Sequence, residues 1–181
     1  MITNFGKKVF AAYSHNVLPH VDLSASMGTA AYCEFKNVSG DTKYCVPWFY
    51  DTSDYNFDLI TDTTHGGVAF GTGTTPPTEN DYNLESMLTN ISATKSNPAY
   101  RIDPITDNYC MYIDYVISNN TENDITITEL GRFGLFRAVD TKGSGVTGTK
   151  SQALLDRIVL STPVVIPSGD AGTVRYELIL N

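Results

Sequence analysis

Four aspartates stand close together in the segment DTSDYNFDLITD: Asp51, Asp54, Asp58 and Asp62. Carboxylates at this density can hold a hard cation such as calcium through oxygen ligands. Their order does not supply the EF-hand pattern, which alternates oxygen ligands and needs a glycine at its sharp turn. A solvated acidic loop is the expectation. A glycosidase pair needs two carboxyl groups at a fixed separation, which spacing along a chain does not supply. His15, His20 and His65 could be combined with Cys33 and Cys45 into a zinc site. Zinc sites usually show close pairs such as C-x2-C or H-x3-H, and here four residues separate His15 from His20 and eleven separate Cys33 from Cys45, so no metal is expected. The run Val68-Ala-Phe70 followed by Gly71-Thr-Gly-Thr-Thr invites a phosphate-loop reading. That chemistry needs a Lys-Ser/Thr pair and a helix N-terminus to receive the anion, whereas Pro76-Pro77 follows here. No G-x-S-x-G elbow occurs, so a hydrolase triad has no warrant. The expectation is a protein with no catalytic residue, no metal and no cofactor.

Aromatic residues offer a different chemistry. Eleven tyrosines and one tryptophan can pack a sheet core or stack in an interface. Tyr44, Trp48, Phe49, Tyr50, Tyr55 and Phe57 form the main apolar content of the N-terminal third, and Trp48, Phe49 and Tyr50 are the expected interface residues. Charge narrows the partner further. Twelve basic against twenty acidic residues give a net charge of −8 and no basic stripe, which is the wrong sign for a binder of phosphate backbones. Nucleic acid is therefore not an expected partner. Cys33, Cys45 and Cys110 are an odd set at scattered spacing, and reduced, buried thiols are the expectation.

The elements that must position these residues read as short strands. Tyr109, Met111, Ile113, Tyr115 and Ile117 alternate with Cys110, Tyr112, Asp114 and Val116, which is the period of a strand with one buried face. Asn119 to Asp124 reads as a turn, and Ile125-Thr-Ile-Thr-Glu-Leu resumes the alternation with isoleucines in and threonines out. Together they predict a hairpin with a longish loop. Gly131 and Gly134 in the continuation suggest a bulge or a close backbone approach. Leu154 to Leu160, Val164 to Ile166 and Thr173 to Leu180 are further strands, the first two separated by Thr162-Pro163. Gln152 to Arg157 is assigned to strand because it runs into Ile158-Val159. Asp81 to Leu88 could form a helix of only two turns.

The predicted class is all-β, an antiparallel β-sandwich or jelly roll with a less regular N-terminal arm. A weak break near Gly66-Gly67 divides the chain into an arm over 1–65, with docking as its natural role, and a sandwich domain over 66–181. The 181 residues, 41% of them hydrophobic, suffice for one core, and no apolar run approaches the length of a membrane-spanning helix. MITNFGKKVFAAYSHN lacks the apolar stretch of a secretory signal, so synthesis in a cytoplasm and no membrane partner are expected.

The pieces of the second half form an ordered series. VAFGTGTTPPT is followed by Asp81-Tyr-Asn-Leu-Glu, then by ITITELGRFGLF, Leu154-Leu-Asp-Arg, Pro163-Val-Val-Ile-Pro-Ser-Gly and Val174-Arg-Tyr-Glu-Leu. This series, over about residues 66–181, resembles a β-sandwich module of tailed-bacteriophage virion proteins, including tail-collar fibre proteins and accessory proteins of heads and necks. Arg132-Phe-Gly extends the strand beyond the module's pattern, and the first 65 residues have no counterpart in it. The resemblance implies a non-enzymatic structural protein of the virion. Its partners would be other virion proteins of capsid, portal, neck or tail, and it would form a homo-oligomer in the particle. A carbohydrate- or receptor-binding module is the alternative, suggested by the tyrosine-rich, acidic stretch 44–62.

Overall fold

The computed structural model describes residues 1–14, 33–45, 57–62, 64–102, 109–141 and 149–180. Helix α1 (Asn4–Ser14) opens the chain, followed by β1 (Cys33–Lys36), β2 (Thr42–Cys45), β3 (Gly67–Gly71), β4 (Ser92–Lys95), β5 (Ala99–Ile102), β6 (Tyr109–Ser118), β7 (Ile125–Ala138), β8 (Thr149–Ile166) and β9 (Ala171–Leu180). The fold is all-β in class and its ladders are antiparallel. One sheet has the order β3-β7-β8; in the other, β6 is flanked by β9 along its length and by β4 and β5 on its opposite edge. The β1–β2 hairpin attaches to the end of β7 through mutual hydrogen bonds between Tyr44 and Val139.

Alternation in β6 works as the sequence predicts. Met111, Ile113, Tyr115 and Ile117 are buried and join Val68 and Phe70 of β3, Ile127 and Leu130 of β7, and Val174 and Tyr176 of β9 in one core cluster fed by both large sheets. Each such side chain contributes about 1.5–3 kcal/mol by leaving water. The opposite face of β6 stays wetter, and Asp114 there forms a two-point ion pair with Arg175.

The expected hairpin between the strands around 109–118 and 125–130 does not form. β6 and β7 lie in different sheets, and residues 119–124 carry the chain from one to the other. Asn119, only 1% exposed, holds this crossing: its side-chain amide donates to the carbonyls of Asn123 and Ile166, and its side-chain oxygen accepts from the Thr121 amide and hydroxyl. The return crossing, 167–170, is clasped to it by backbone bonds from Gly169 to Asn119 and from Asn119 to Asp170. Local turn chemistry was legible; which sheet received the next strand was not.

Two irregularities in the β7–β8 ladder decide which residues share a face. Ile127 pairs with Val164 but Glu129 pairs with Val159, so Leu160 to Pro163 bulge opposite Thr128. Proline has no N–H to give to the ladder, which suits this position. The two strands expected at 154–160 and 164–166 are thus one strand with a bulge. The parity shift also buries Thr128, against the expectation of an outward threonine, and turns Glu129 away from the face shared by Ile125, Ile127 and Leu130. The second irregularity lies between the pairs Arg132–Asp156 and Phe133–Leu154 and leaves Leu155 as the extra residue.

Segment 81–88 is not a helix. The N-terminal segment, expected to be irregular, begins with one. Thr3 caps α1 by accepting from the Gly6 amide, and Phe5 and Val9 pack on Phe35, Phe136 and Leu155. A Cβ on Gly6 would sit 2.0 Å from the Leu155 carbonyl oxygen, so the helix rests directly on the β8 backbone. The described residues at the start of the chain are therefore joined to the strands of the second half.

Candidate functional site

The separate motifs of the second half meet at one buried carboxylate. Glu129 is fully buried on the face of β7 turned away from the core between the sheets. Its Oε1 accepts from the backbone amides of Gly73 at 3.0 Å and Ser86 at 2.9 Å. Its Oε2 accepts from the Glu85 amide at 3.2 Å and from Arg157 Nε at 2.8 Å. Arg157 lies diagonally across the ladder on β8, where same-face neighbours come within reach of long side chains. It also donates to Asp81 at 2.9 Å and lies 3.5 Å from Glu85. Glu85 in turn accepts from the amides of Thr74 and Thr75 and from the Thr75 hydroxyl.

Close packing explains the glycine-rich turn. A Cβ on Gly71 would lie 2.5 Å from Glu129 Oε1, and one on Gly73 would lie 2.6 Å from the same oxygen. Both glycines make room for the carboxylate to reach the loop amides. The GTG segment therefore does meet an anion, through the single backbone N–H of Gly73, but the anion is a side chain of the same protein, and its other two amide donors, Glu85 and Ser86, come from the following segment.

Electrostatically the cluster is three carboxylates around one guanidinium. Burial works against ionisation of Asp81, but the Thr78 hydroxyl, Arg157 and the Thr78 amide together hold its carboxyl below the usual range. The Thr75 amide and hydroxyl, followed by the Thr74 amide and Arg157, do the same for Glu85. Burial opposes the charge on Arg157, yet Asp81 and Glu129 raise its pKa above the ordinary arginine value. Asp81, Glu85 and Arg157 are thereby favoured in their charged forms, and the cluster cross-links strand to loop.

A second polar group lies on the other face of the same ladder. Arg132 and Asp156 are paired opposite each other, 1% and 2% exposed, and Tyr176 of β9 donates to Asp156 at 2.9 Å. Burial raises the Asp156 pKa to about 6, although Arg132 and the Tyr176 hydroxyl pull it down. Its second oxygen has no hydrogen-bond partner. The Arg132 guanidinium sits 4.7 Å from the Phe57 ring, and the Phe57 carbonyl accepts from Tyr115.

The expected interface residues Trp48, Phe49 and Tyr50 lie outside the described residues, as do Asp51, Asp54, Tyr55, His15 and His20. Of the remaining aspartates in the acidic patch, Asp58 pairs with Lys95 and Asp62 caps its own turn through Thr64 and His65. The structure does not bring these two to a common centre. Among the described residues no group of three or more His, Cys, Asp or Glu side chains could hold a metal ion, and no helix is long and apolar enough to cross a membrane. An open groove of about 460 Å³ borders the Arg157 cluster, with Tyr82, Asn80 and Asn83 on its wall.

Sequence reasoning passed over Glu129, Arg157 and Asp156. The available signal was Glu129 itself, a charge adjoining Leu130 in a run where strict alternation would have put it on the isoleucine face. Comparison with protein-family models, with curated proteins and with solved structures finds no match.

Proposed function

We propose that this protein is a non-enzymatic structural component of a tailed-bacteriophage virion, acting through protein–protein assembly at the neck, collar, tail or capsid surface. The observation that carries the reading is the convergence of the motif series on one point. Gly71 and Gly73, Asp81 and Glu85, Glu129, and Arg157 come from four separate pieces of the series and form a single ion cluster. On this reading they are parts of one module, and their charges are used on one another. The two large sheets, sharing one core, suit a sandwich built as a rigid assembly block. Its partners on this reading are other virion proteins and further copies of itself, and a net charge of −8 turns it away from nucleic acid.

The test is quantitative mass spectrometry of purified phage particles produced by a bacterium expressing this chain, with light scattering of the isolated protein alongside. Peptides at a copy number matching a ring or vertex support the reading. Absence from particles together with a monomeric solution mass would remove it.

A carbohydrate- or receptor-binding module is the second reading. It is favoured by the open groove, where Tyr82 exposes 39% of its surface beside the amides of Asn80 and Asn83. Specific glycan binding that is lost in Tyr82→Ala or Trp48→Ala would replace the structural reading by this one.

A further inference from the structure

We propose that Cys33 and Cys45 form a modification site, a reversible cross-strand disulfide made by exchange with a low-molecular-weight disulfide of the glutathione type. The two residues are direct partners at the open end of the β1–β2 hairpin. Their pairing type follows from their neighbours. Tyr44 directs its backbone N–H and C=O to Val139, away from β1. Cys45, one residue on, therefore directs its own toward Cys33, which makes this a hydrogen-bonded antiparallel pair with Cα atoms about 5.5 Å apart. That lies inside the Cα window of roughly 4.4–6.8 Å that a disulfide spans, and the Cβ atoms, about 5 Å apart in such a pair, must draw in to roughly 3.5–4.5 Å as the bond forms at this unclosed end of the hairpin. Directly opposite residues also project to the same side of the sheet, so the two thiols face each other. Both are thiols in this structure, together with Cys110, which lies on β6 in a different sheet.

The two sulfurs differ in access, and the difference sets the order of events. Cys33 is partly exposed whereas Cys45 is fully buried, and burial, followed by the nearby Cys33, pushes the Cys45 thiol well above its ordinary pKa. Cys33 as thiolate attacks one sulfur of the reagent; the reagent's S–S bond breaks and one thiol departs with the electron pair and takes up a proton. Cys45 then loses its proton and attacks the Cys33 sulfur of the mixed disulfide, displacing the second thiol. The protein gives up two electrons and two protons, and the reagent gains both.

The position gives the bond a consequence. The chain enters β1 from residues 15–32 and leaves β2 into residues 46–56, the segment that holds Trp48, Phe49 and Tyr50. Oxidation would tie that entry to that exit and fix the hairpin at the end where no turn closes it.

The experiment incubates the folded full-length chain with glutathione disulfide and reads intact mass, peptide linkage and melting temperature. The expected result is the loss of two hydrogens, a mapped Cys33–Cys45 bond, and a melting temperature that rises and returns on reduction. Cys110→Ser should behave in the same way. Cys33→Ser, altered at the more exposed position, should fold, show no loss of hydrogen and leave Cys45 unmodified. A stable glutathione adduct on Cys33, a folded chain that stays fully reduced, a bond to Cys110, or a covalent dimer would each overturn the proposal.

Discussion

The two faces of the β7–β8 ladder carry the same kinds of charge and treat them in opposite ways. On one face Glu129 accepts four hydrogen bonds, three from loop amides and one from Arg157. On the other, one position along β8 from Arg157, Asp156 accepts one from Tyr176 and keeps an oxygen without a partner. Both carboxylates are essentially excluded from water. What separates them is the supply of donors: Gly73 of the glycine-rich loop and Glu85 and Ser86 of the segment after it deliver backbone N–H groups to Glu129, while Asp156 faces the apolar core between the sheets. Burial alone therefore does not say whether an acid stabilises the fold. The number of donors aimed at it does.

The largest expected effect comes from removing the cation on the well-satisfied face. Arg157→Met leaves Glu129 buried with its counter-charge gone and should cost about 3–5 kcal/mol in chemical denaturation, the range for breaking a buried ion pair by deleting one partner. A loss below 1 kcal/mol would mean that the loop amides alone satisfy Glu129.

The poorly satisfied face gives a test by pH. Because the folded-state pKa of Asp156 is raised from 3.8 to about 6, the folded chain holds a proton that the unfolded chain releases between those values. This group's contribution is most favourable below about pH 4 and is lost as pH rises through 6, by roughly 3 kcal/mol in total. Asp81, Asp62 and Asp114, held below their usual range, act with the opposite sign and lose their contribution as pH falls below about 4. Asp156→Asn should abolish the decline between pH 4 and 6 and leave the acid limb in place. Denaturation midpoints measured across pH 3 to 8 would decide it; an unchanged slope would show that Asp156 is ionised throughout.

The unequal treatment of the two faces also accounts for what the sequence revealed. β6 was legible because one face of it is buried without interruption, so period two survives from Met111 to Ile117. β7 was legible as a strand, but its faces were not, since the bulge opposite Thr128 resets parity between Ile127 and Glu129. No local signal announces a bulge whose extra residues lie on the partner strand some thirty positions later. The glycine-rich turn was legible as a tight turn, and its purpose was hidden because Glu129 and Arg157 meet it only through the ladder register. The helix α1 was passed over although Thr3 caps it and Phe5 and Val9 share a face; Gly6 weakens the local signal, and the contact with Leu155 that requires glycine there is wholly tertiary.

Gly73→Ala sharpens the comparison from the loop side without touching a charge. The new methyl would lie 2.5 Å from the Glu85 Cβ and 2.6 Å from Glu129 Oε1, so either the loop retreats or the carboxylate does. A cost of about 1–3 kcal/mol is expected, the range for overpacking a filled site. Since the displaced oxygen also serves Ser86, the same variant should speed amide exchange at Ser86 while leaving Asn119 at the far crossing unchanged.

The smallest effect belongs to the solvent face of the other sheet, which supplies the contrast to both buried clusters. Arg175 grips Asp114 at 2.7 and 2.9 Å and lies 4.3 Å from the Tyr112 ring, a geometry as good as that of Arg157. Its side chain is nevertheless 48% exposed, so water and salt screen the pair. Arg175→Ala should shift the denaturation midpoint only slightly, and the shift should vanish in high salt, whereas the deficit of Arg157→Met should persist there. If both deficits respond to salt alike, the buried cluster is hydrated and the difference between the faces is one of geometry; if only the exposed pair responds, exclusion of water is what gives Glu129 and Arg157 their weight.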